Sequence, residues 1–457
     1  MRILLLTHYY APEFGAPQRR WSALVSGFVA AGHRVTVAAP VPHYPAGRPD
    51  RRQRRRHPIG AVERGLHGET VLRTAYLPHL GDIGTRTADH LVAALDSLQR
   101  LRCRFRRPEH RPDVIIATAP AIPTLLAGRA LSALWDVPLV VEMRDAWPDL
   151  VSRIDGLGPQ EEAAAAPPAG EATPAAAART VGAATGAATG EATPDEPAPG
   201  LRRRLLAPMV AHVKRSVHRH VTHWQTDARA VVTTTGRFAE VLRERGVDPV
   251  WVVRNGTDLR SVVPQHDHPD AAQRELRCLY LGNMGRSQGL ETVVRAAALL
   301  AAEGVALQVR MVGHGVEATE LAALAEELGA PVEVLPRIPH REVTSQYAWA
   351  DTVIVSLRSW VPFTWTVPSK LYEVLATGRH VTALLAGEAA DVVREAGAGD
   401  VLPPEDLEAL TALWRELAAE PSRTAVRPGG RDWAAAHADD DELTRRYLEI
   451  LARVVPD

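Results

Sequence analysis

Two Rossmann-like α/β lobes are the architecture this sequence predicts, on three observations. The chain has 457 residues, 46% hydrophobic and 23% charged, an ordinary globular balance with ample material for large buried cores. At roughly 100–200 residues per domain, that length asks for two domains, because single cores stop growing near the upper limit. Strand-like runs alternate with helical periods in two separate series, and a low-complexity stretch interrupts the first.

The first series runs Ile3–Leu6, a helical period over Trp21–Ala31, then Arg34–Ala39, Val114–Ala117 and Leu139–Glu142. The rhythm restarts with Val250–Val253, Cys278–Gly282, a helix over Leu290–Glu303, Leu307–Val312, a helix over Glu317–Leu328, Val332–Leu335 and Thr352–Leu357. Such alternation signals parallel sheets with crossover helices. The expected division is an N-terminal lobe over 1–249 and a C-terminal lobe over 250–457. Residues 159–200 are rich in Ala, Gly, Pro, Thr and Glu, and Gly-Glu-Ala-Thr-Pro occurs there at Gly170–Pro174 and again at Gly190–Pro194. With almost no bulky apolar residue this segment cannot offset its own ordering entropy, so it reads as a flexible insertion in the first lobe.

Charge is unevenly spread. Residues 1–250 hold 33 Lys+Arg against 24 Asp+Glu, and residues 251–457 hold 20 against 30, so the halves carry +9 and −10. The positive excess is focused in Arg51–Arg56, in Arg100–Arg107 and in the basic amphipathic stretch 201–221, where Leu205, Met209 and Val213 alternate with Arg202–Arg204 and Lys214. A solvated basic face and contact with an anionic membrane are both open readings. Aromatic residues do not interleave with these clusters, which argues against a nucleic-acid partner. Cys103 and Cys278 are the only cysteines, too few for a disulfide framework and not spaced as zinc ligands. The opening apolar run turns polar at Thr7-His8, too short for a signal peptide or a membrane span. A cytoplasmic protein is the expectation, with peripheral contact to the inner face of the membrane.

Three loops offer anion sites. Tyr9 to Pro17 joins the first strand to a helix through small residues and prolines, a form that lets backbone approach a ligand at a positive helix end. Gly and Pro mark turns more often than ligands, so this loop alone carries little. Tyr280 to Gly289 repeats the arrangement, with Gly282, Gly285 and Gln288 in the loop and Arg286 to supply charge. Val367 to Glu373 opens a third helix with a proline, a Ser cap at Ser369 and Lys370, one of only two lysines in the chain. Glu373 lies one turn inward, where it could accept from sugar hydroxyls.

These stretches resemble the GT-B-fold retaining glycosyltransferases of family four, in particular bacterial O-antigen and capsule aminosugar transferases. The resemblance rests on Tyr9 to Pro17, Gly32-His33, Pro42 to Gly47, Glu142 to Pro148, Asn255 to Asp258, the Gly282–Gly289 loop and Pro368 to Gly378, in the family's order and covering nearly everything outside 159–200. It implies two lobes facing across a cleft, a nucleotide sugar held by the C-terminal lobe and an acceptor, a glycan or lipid-linked glycan, by the N-terminal one. By the same resemblance Glu373 meets the nucleotide ribose, Ser369, Lys370 and Leu371 grip the diphosphate, and Gly15 approaches the sugar-phosphate. Asp145 is the candidate polar contact to the reacting sugar or acceptor hydroxyl, with a helix-cap role as its alternative.

Two departures stand out. The family's first glutamate, eight residues before Glu373, is Trp365 here, and the usual Arg and Lys of the Gly-rich loop are Asn283 and Gln288. Arg286 and Lys370 must then carry the diphosphate charge. The Gln-Gly form of the loop resembles that of the aminosugar-transferase branch, and this resemblance implies a uridine-diphosphate N-acetylhexosamine donor. The family's mechanism is front-face transfer, in which the acceptor attacks as the diphosphate leaves, with no protein nucleophile, no cofactor and no metal. Asp145, Lys370 and Arg286 are the expected catalytic residues. Open alternatives are a transferase acting on a soluble natural-product acceptor, a GT-B-fold epimerase and a catalytically silent homologue.

Overall fold

The computed structural model describes residues 1–44, 46–79, 83–144, 146, 149, 216–267 and 275–455. The predicted insertion 159–200, residues 201–215 of the basic stretch and Asp145 lie outside the described residues. Met1–Trp147 and Val221–Asp457 make one compact unit, and Pro148–His220 a second, in which His218 Nε2 lies 3.2 Å from Asp149 Oδ1.

The first unit contains two sheets. One comprises β1 (Arg2–Leu6), β2 (Arg34–Pro40), β3 (Val62–Arg64), β4 (Thr70–Thr74), β5 (Val114–Thr118), β6 (Leu139–Met143), β7 (Ala230–Thr233) and β8 (Val250–Val252), in the order β3-β4-β2-β1-β5-β6-β7-β8. All its pairings are parallel except β3 with β4. The other comprises β9 (Leu276–Asn283), β10 (Leu307–His314), β11 (Val332–Pro336), β12 (Thr352–Ser356), β13 (His380–Leu384) and β14 (Gly399–Leu402), all parallel in the order β11-β10-β9-β12-β13-β14. The central strands are largely apolar because helices cover both faces; β5, β6 and β12 are buried at every position, Glu142 of β6 included. Strand order reverses at β1 in one sheet and at β9 in the other. Open α/β sheets hold ligands at the carboxyl ends of strands beside such reversals, and the first two loops singled out in the sequence begin there.

The boundary at 249/250 needs correction. Val250 pairs in parallel with Val231, so the strand expected to open the second lobe closes the first sheet. The C-terminal helix Asp440–Val454 also returns to the first lobe, where Leu443, Tyr447, Ile450 and Leu451 share a core with Trp21, Phe28 and Val37. The Tyr447 ring sits 5.6 Å from that of Phe28 and 6.2 Å from that of Trp21. The apolar stripe of this helix has to be buried, and the helix Ala16–Ala30 supplies the matching face. The second lobe has its own core, built from Cys278, Val293, Val309, Ile354 and Trp414 among others.

A polar junction around Glu388 joins the lobes. Glu388, 7% exposed, begins the helix Glu388–Glu395 and accepts from the backbone N–H groups of Gly236 (3.0 Å) and Arg237 (2.7 Å), capping the helix Gly236–Glu244 of the other lobe. Arg254 donates to the same carboxylate at 2.6 Å. Beside it Thr235 donates to the Trp365 carbonyl at 2.5 Å, and the Trp365 ring stacks on Phe238 with centroids 6.2 Å apart and planes 3° off parallel. Gly387 has φ 67°, and a Cβ there would fall 2.0 Å from the Thr364 carbonyl oxygen, so only glycine lets this turn approach the segment bearing Trp365. Glu388→Ala should leave two helix-end donors and Arg254 without their partner, at a cost of about 1–3 kcal/mol, while Glu388→Gln keeps an acceptor and loses less. Thermal unfolding of the full chain measures this; equal midpoints for wild type and Glu388→Ala would contradict it.

Candidate functional site

The loop after β9 is stitched to its surroundings through its backbone. Gly285 donates its N–H to Gln288 Oε1 at 3.1 Å, so the Gln288 amide braces the loop from within. Gly282 abuts Gly313 of β10, where φ is 159° and a Cβ would lie 1.8 Å from the Gly282 carbonyl oxygen. Arg358, just past β12, donates from Nε to the Arg286 carbonyl at 2.5 Å and from its backbone N–H to the Ser287 carbonyl at 2.9 Å. Its guanidinium is held by Glu291 and Glu405, each at 2.6 Å. Arg286 itself is exposed. Arg358 went unnoticed in the sequence because it sits far from the motif whose carbonyls it holds.

The helix Ser369–Thr377 starts differently from expectation. Pro368 occupies the cap position, no side chain caps the first turn, and Ser369 is already helical. The Ser cap is therefore corrected: a serine inside the helix is not placed to bond the first-turn donors, and the Leu371 N–H bonds the Pro368 carbonyl at 2.9 Å. Leu371 is fully buried in the core, which leaves only its backbone available to a ligand. Glu373, 8% exposed, accepts at Oε1 from Lys370 Nζ (2.9 Å) and from the Tyr347 hydroxyl (3.0 Å), and its Oε2 lies 3.8 Å from Arg19 NH1 of the other lobe. Burial pushes the carboxyl up, but Lys370, Arg19 and the Tyr347 hydroxyl outweigh it and hold Glu373 below its ordinary value. Burial likewise draws the Lys370 ammonium down despite its pairing with Glu373. The structure thus pairs Lys370 with Glu373, two residues to which the sequence assigned separate roles, and adds Tyr347 and Arg19, which it did not single out.

On the N-terminal lobe, Gly15 holds an extended backbone at the start of the helix Ala16–Ala30, again without a side-chain cap and with no acid in the first turn. Glu13 ties this loop down, accepting at Oε1 from His43 N (2.7 Å) and Tyr44 N (2.8 Å) and at Oε2 from Gln18 Nε2 (3.0 Å). Arg20 is locked by buried Glu142 at 3.0 Å and by the Val253 carbonyl at 3.0 Å. A cavity of about 610 Å³ opens beside Tyr10 and Pro12, walled in part by Arg52 and Arg56 of the basic cluster and by Arg64 and Arg73.

Beneath the same loop lies a buried histidine cluster that sequence reasoning missed, because its members come from three elements. Asp89 Oδ2 lies 2.9 Å from both His8 Nε2 and His43 Nε2. Its Oδ1 accepts from the Leu77 N–H at 2.7 Å. These are the residues, among those described, whose ligand atoms converge closely enough to hold a metal ion. Hydrogen bonding also accounts for the arrangement. His43 Nδ1 lies 2.7 Å from the Val41 carbonyl and must donate to it, so its Nε2 faces the carboxylate as a donor only when the ring is an imidazolium. Burial works against that charge, yet Asp89 and the Val41 carbonyl raise His43 above its ordinary value. Burial opposes charge on Asp89 as well, and the two histidines hold it well below the usual carboxylate range. Fully buried His8 is pushed below its ordinary value by desolvation, against the pull of Asp89; His90, whose Nε2 lies 3.2 Å from the Tyr9 hydroxyl, is pushed down to about 3 by burial.

The two lobes have the GT-B arrangement, as comparison with solved structures shows. Sucrose-phosphate synthase from Thermosynechococcus elongatus superposes with a TM-score of 0.67 at 16% identity, covering 99% of this chain and 98% of that one. Anabaena HepE, solved in complex with UDP and glucose, superposes with a TM-score of 0.60 at 15% identity, covering 99% of each chain. Residues 275–420 match the family described as glycosyl transferases group 1. The probable glycosyltransferase WbjE of Pseudomonas aeruginosa is 30% identical over 140 residues, which span 30% of this chain and 34% of that protein.

The histidine cluster sets a pH dependence. A raised His43 contributes stability that is full below about pH 6.5 and lost as pH climbs through its folded value; a lowered Asp89 contributes stability present above about pH 4 and lost on acidification. The stability difference between wild type and Asp89→Asn should therefore be greatest between about pH 4 and 6.5 and shrink toward pH 9. Denaturant unfolding at a series of pH values tests this; a difference as large at pH 9 as at pH 6 would show that His43 is not an imidazolium.

Proposed function

We propose that this protein is a glycosyltransferase that moves a sugar from a nucleotide-diphosphate donor to a hydroxyl acceptor. The observation that carries the reading is the buried Glu373 carboxylate beside Lys370, at the uncapped start of a helix in the segment that matches glycosyl transferases group 1. Helix N–H groups and an ammonium favour an anion, and a buried ionised carboxylate is a strong acceptor for ribose hydroxyls. The UDP in the HepE structure and the transferase description of WbjE support the same reading.

In this proposal the C-terminal lobe holds the donor and the N-terminal lobe the acceptor. Ser369, Lys370 and the backbone at Leu371 receive the diphosphate, with Arg286 exposed on the neighbouring loop and Gly15 approaching the sugar-phosphate. As the bond from sugar to phosphate oxygen breaks, negative charge grows on the leaving diphosphate, and these donors stabilise it without reorganising. The acceptor hydroxyl attacks the same face, so the sugar keeps its configuration; Asp145 is assigned here, from the sequence alone, as the polar partner of the reacting sugar or acceptor hydroxyl. The donor sugar is an N-acetylhexosamine and transfer needs no metal. Trp365 is engaged with Phe238, so the donor sugar finds hydroxyl partners other than the glutamate the family has there. The acceptor is a lipid-linked glycan, reached from an anionic membrane surface through the basic N-terminal lobe. A soluble acceptor is the second reading, and the arginine-walled cavity suits it if the acceptor is anionic.

Calorimetry with UDP tests the donor assignment. Lys370→Ala and Glu373→Ala should each lose about 1.5–3 kcal/mol of UDP binding while keeping a single cooperative unfolding transition. Wild-type affinity in both variants would overturn it. Co-sedimentation with anionic vesicles at low salt separates the acceptor readings: binding reversed by salt supports the membrane-linked one, and none supports the soluble one.

A further inference from the structure

Consecutive arginines follow the Gly15 loop, and the fold treats them in opposite ways. Arg20 is spent inside the protein, its side chain 4% exposed and bonded to Glu142 and to the Val253 and Arg254 carbonyls. Arg19, one residue earlier, is 44% exposed at its side chain and reaches across to the C-terminal lobe, where it donates to the Gly256 carbonyl and stands 3.8 Å from Glu373 Oε2. That separation is an ion pair without a direct hydrogen bond. Glu373 is already satisfied at its other oxygen by Lys370 and Tyr347. Two cations therefore converge on one carboxylate, a local excess that is reduced by the nearby Asp440 carboxyl, which burial pushes up to about 6 against the downward pull of Arg19.

The backbone adds to that excess. The helices Ala16–Ala30 and Ser369–Thr377, one from each lobe, both begin without a side-chain cap and without an acid in the first turn. Arg19 and Lys370 sit in the opening turns of these helices, and their side chains reach the same carboxylate. A guanidinium 44% exposed, a second cation on the same carboxylate and two open helix starts are a setting that a polyanion would neutralise. Asn283 and Gln288 are neutral, so Arg286 is the one cation that the Gly282–Gly289 loop itself supplies.

We propose that Arg19 is a phosphate ligand for the donor, contributed by the N-terminal lobe and acting together with Lys370 of the C-terminal lobe. The inference rests on the nucleotide-donor reading. Arg19 also makes diphosphate recognition depend on both lobes, since a donor bound to the C-terminal lobe alone lacks this charge.

The test is calorimetric titration of the full-length wild type, Arg19→Gln and Arg19→Lys with UDP and, separately, with uridine, which keeps the base and ribose and has no phosphate. Arg19→Gln should weaken UDP about 10- to 100-fold and leave uridine within twofold, and Arg19→Lys should recover most of the UDP affinity. Thermal unfolding of both variants checks that they are folded. UDP affinity unchanged in Arg19→Gln, or UDP and uridine weakened equally, would overturn the inference; the second result would mean that Arg19 only positions Glu373. A wild type that binds neither probe would instead overturn the nucleotide-donor reading itself.

Discussion

The carboxylate of Glu373 is the constraint around which the C-terminal half of the site is arranged. A buried ionised group is tolerated only when its charge is matched and its lone pairs are occupied. Here Lys370 and Tyr347 occupy one oxygen, and Arg19 faces the other from the opposite lobe. The lysine is held near the helix start by the same bond that keeps the glutamate ionised, so neither residue has its role without the other. Tyr347 comes from the helix His340–Trp349, so the pairing also fixes that element against the site.

The lobes meet through several polar contacts of the same kind. Glu388 caps a helix of the other lobe, and Thr235, at the start of that helix, holds the Trp365 backbone. Each uses an end of a secondary-structure element, where backbone groups lack partners of their own. An interface made of caps and ion pairs is weaker per area than an apolar one and tolerates relative motion better. That property suits a site whose charge is shared between lobes.

Much of the fold was legible because parallel strands buried on both faces leave continuous apolar runs. β1, β2, β5, β6, β9, β10 and β12 were all readable in this way, and the Val367–Glu373 segment was readable as a helix start, though the bond between Lys370 and Glu373 was not. What escaped was long-range. Val250–Val252 carries no mark of which sheet it will join, and the stripe on Asp440–Val454 says that it packs without saying against what. Arg358, Tyr347 and the His8, His43 and Asp89 cluster act on residues distant in sequence, so no local pattern announces them. The Ser369 cap failed for a local reason: Pro368 took the cap position and moved the serine into the first turn.

Glu373, Lys370, Arg19 and the two flanking loops are held to form one anion site shared between the lobes. Hydrogen–deuterium exchange of the full chain with and without saturating UDP tests this most directly, because it reads every segment in one experiment. The account predicts slower exchange on binding in three separate stretches together: residues 15–19, 282–289 and 369–373. Protection in the last two with none at 15–19 would contradict the shared site, and unchanged exchange in all three would contradict the nucleotide site altogether.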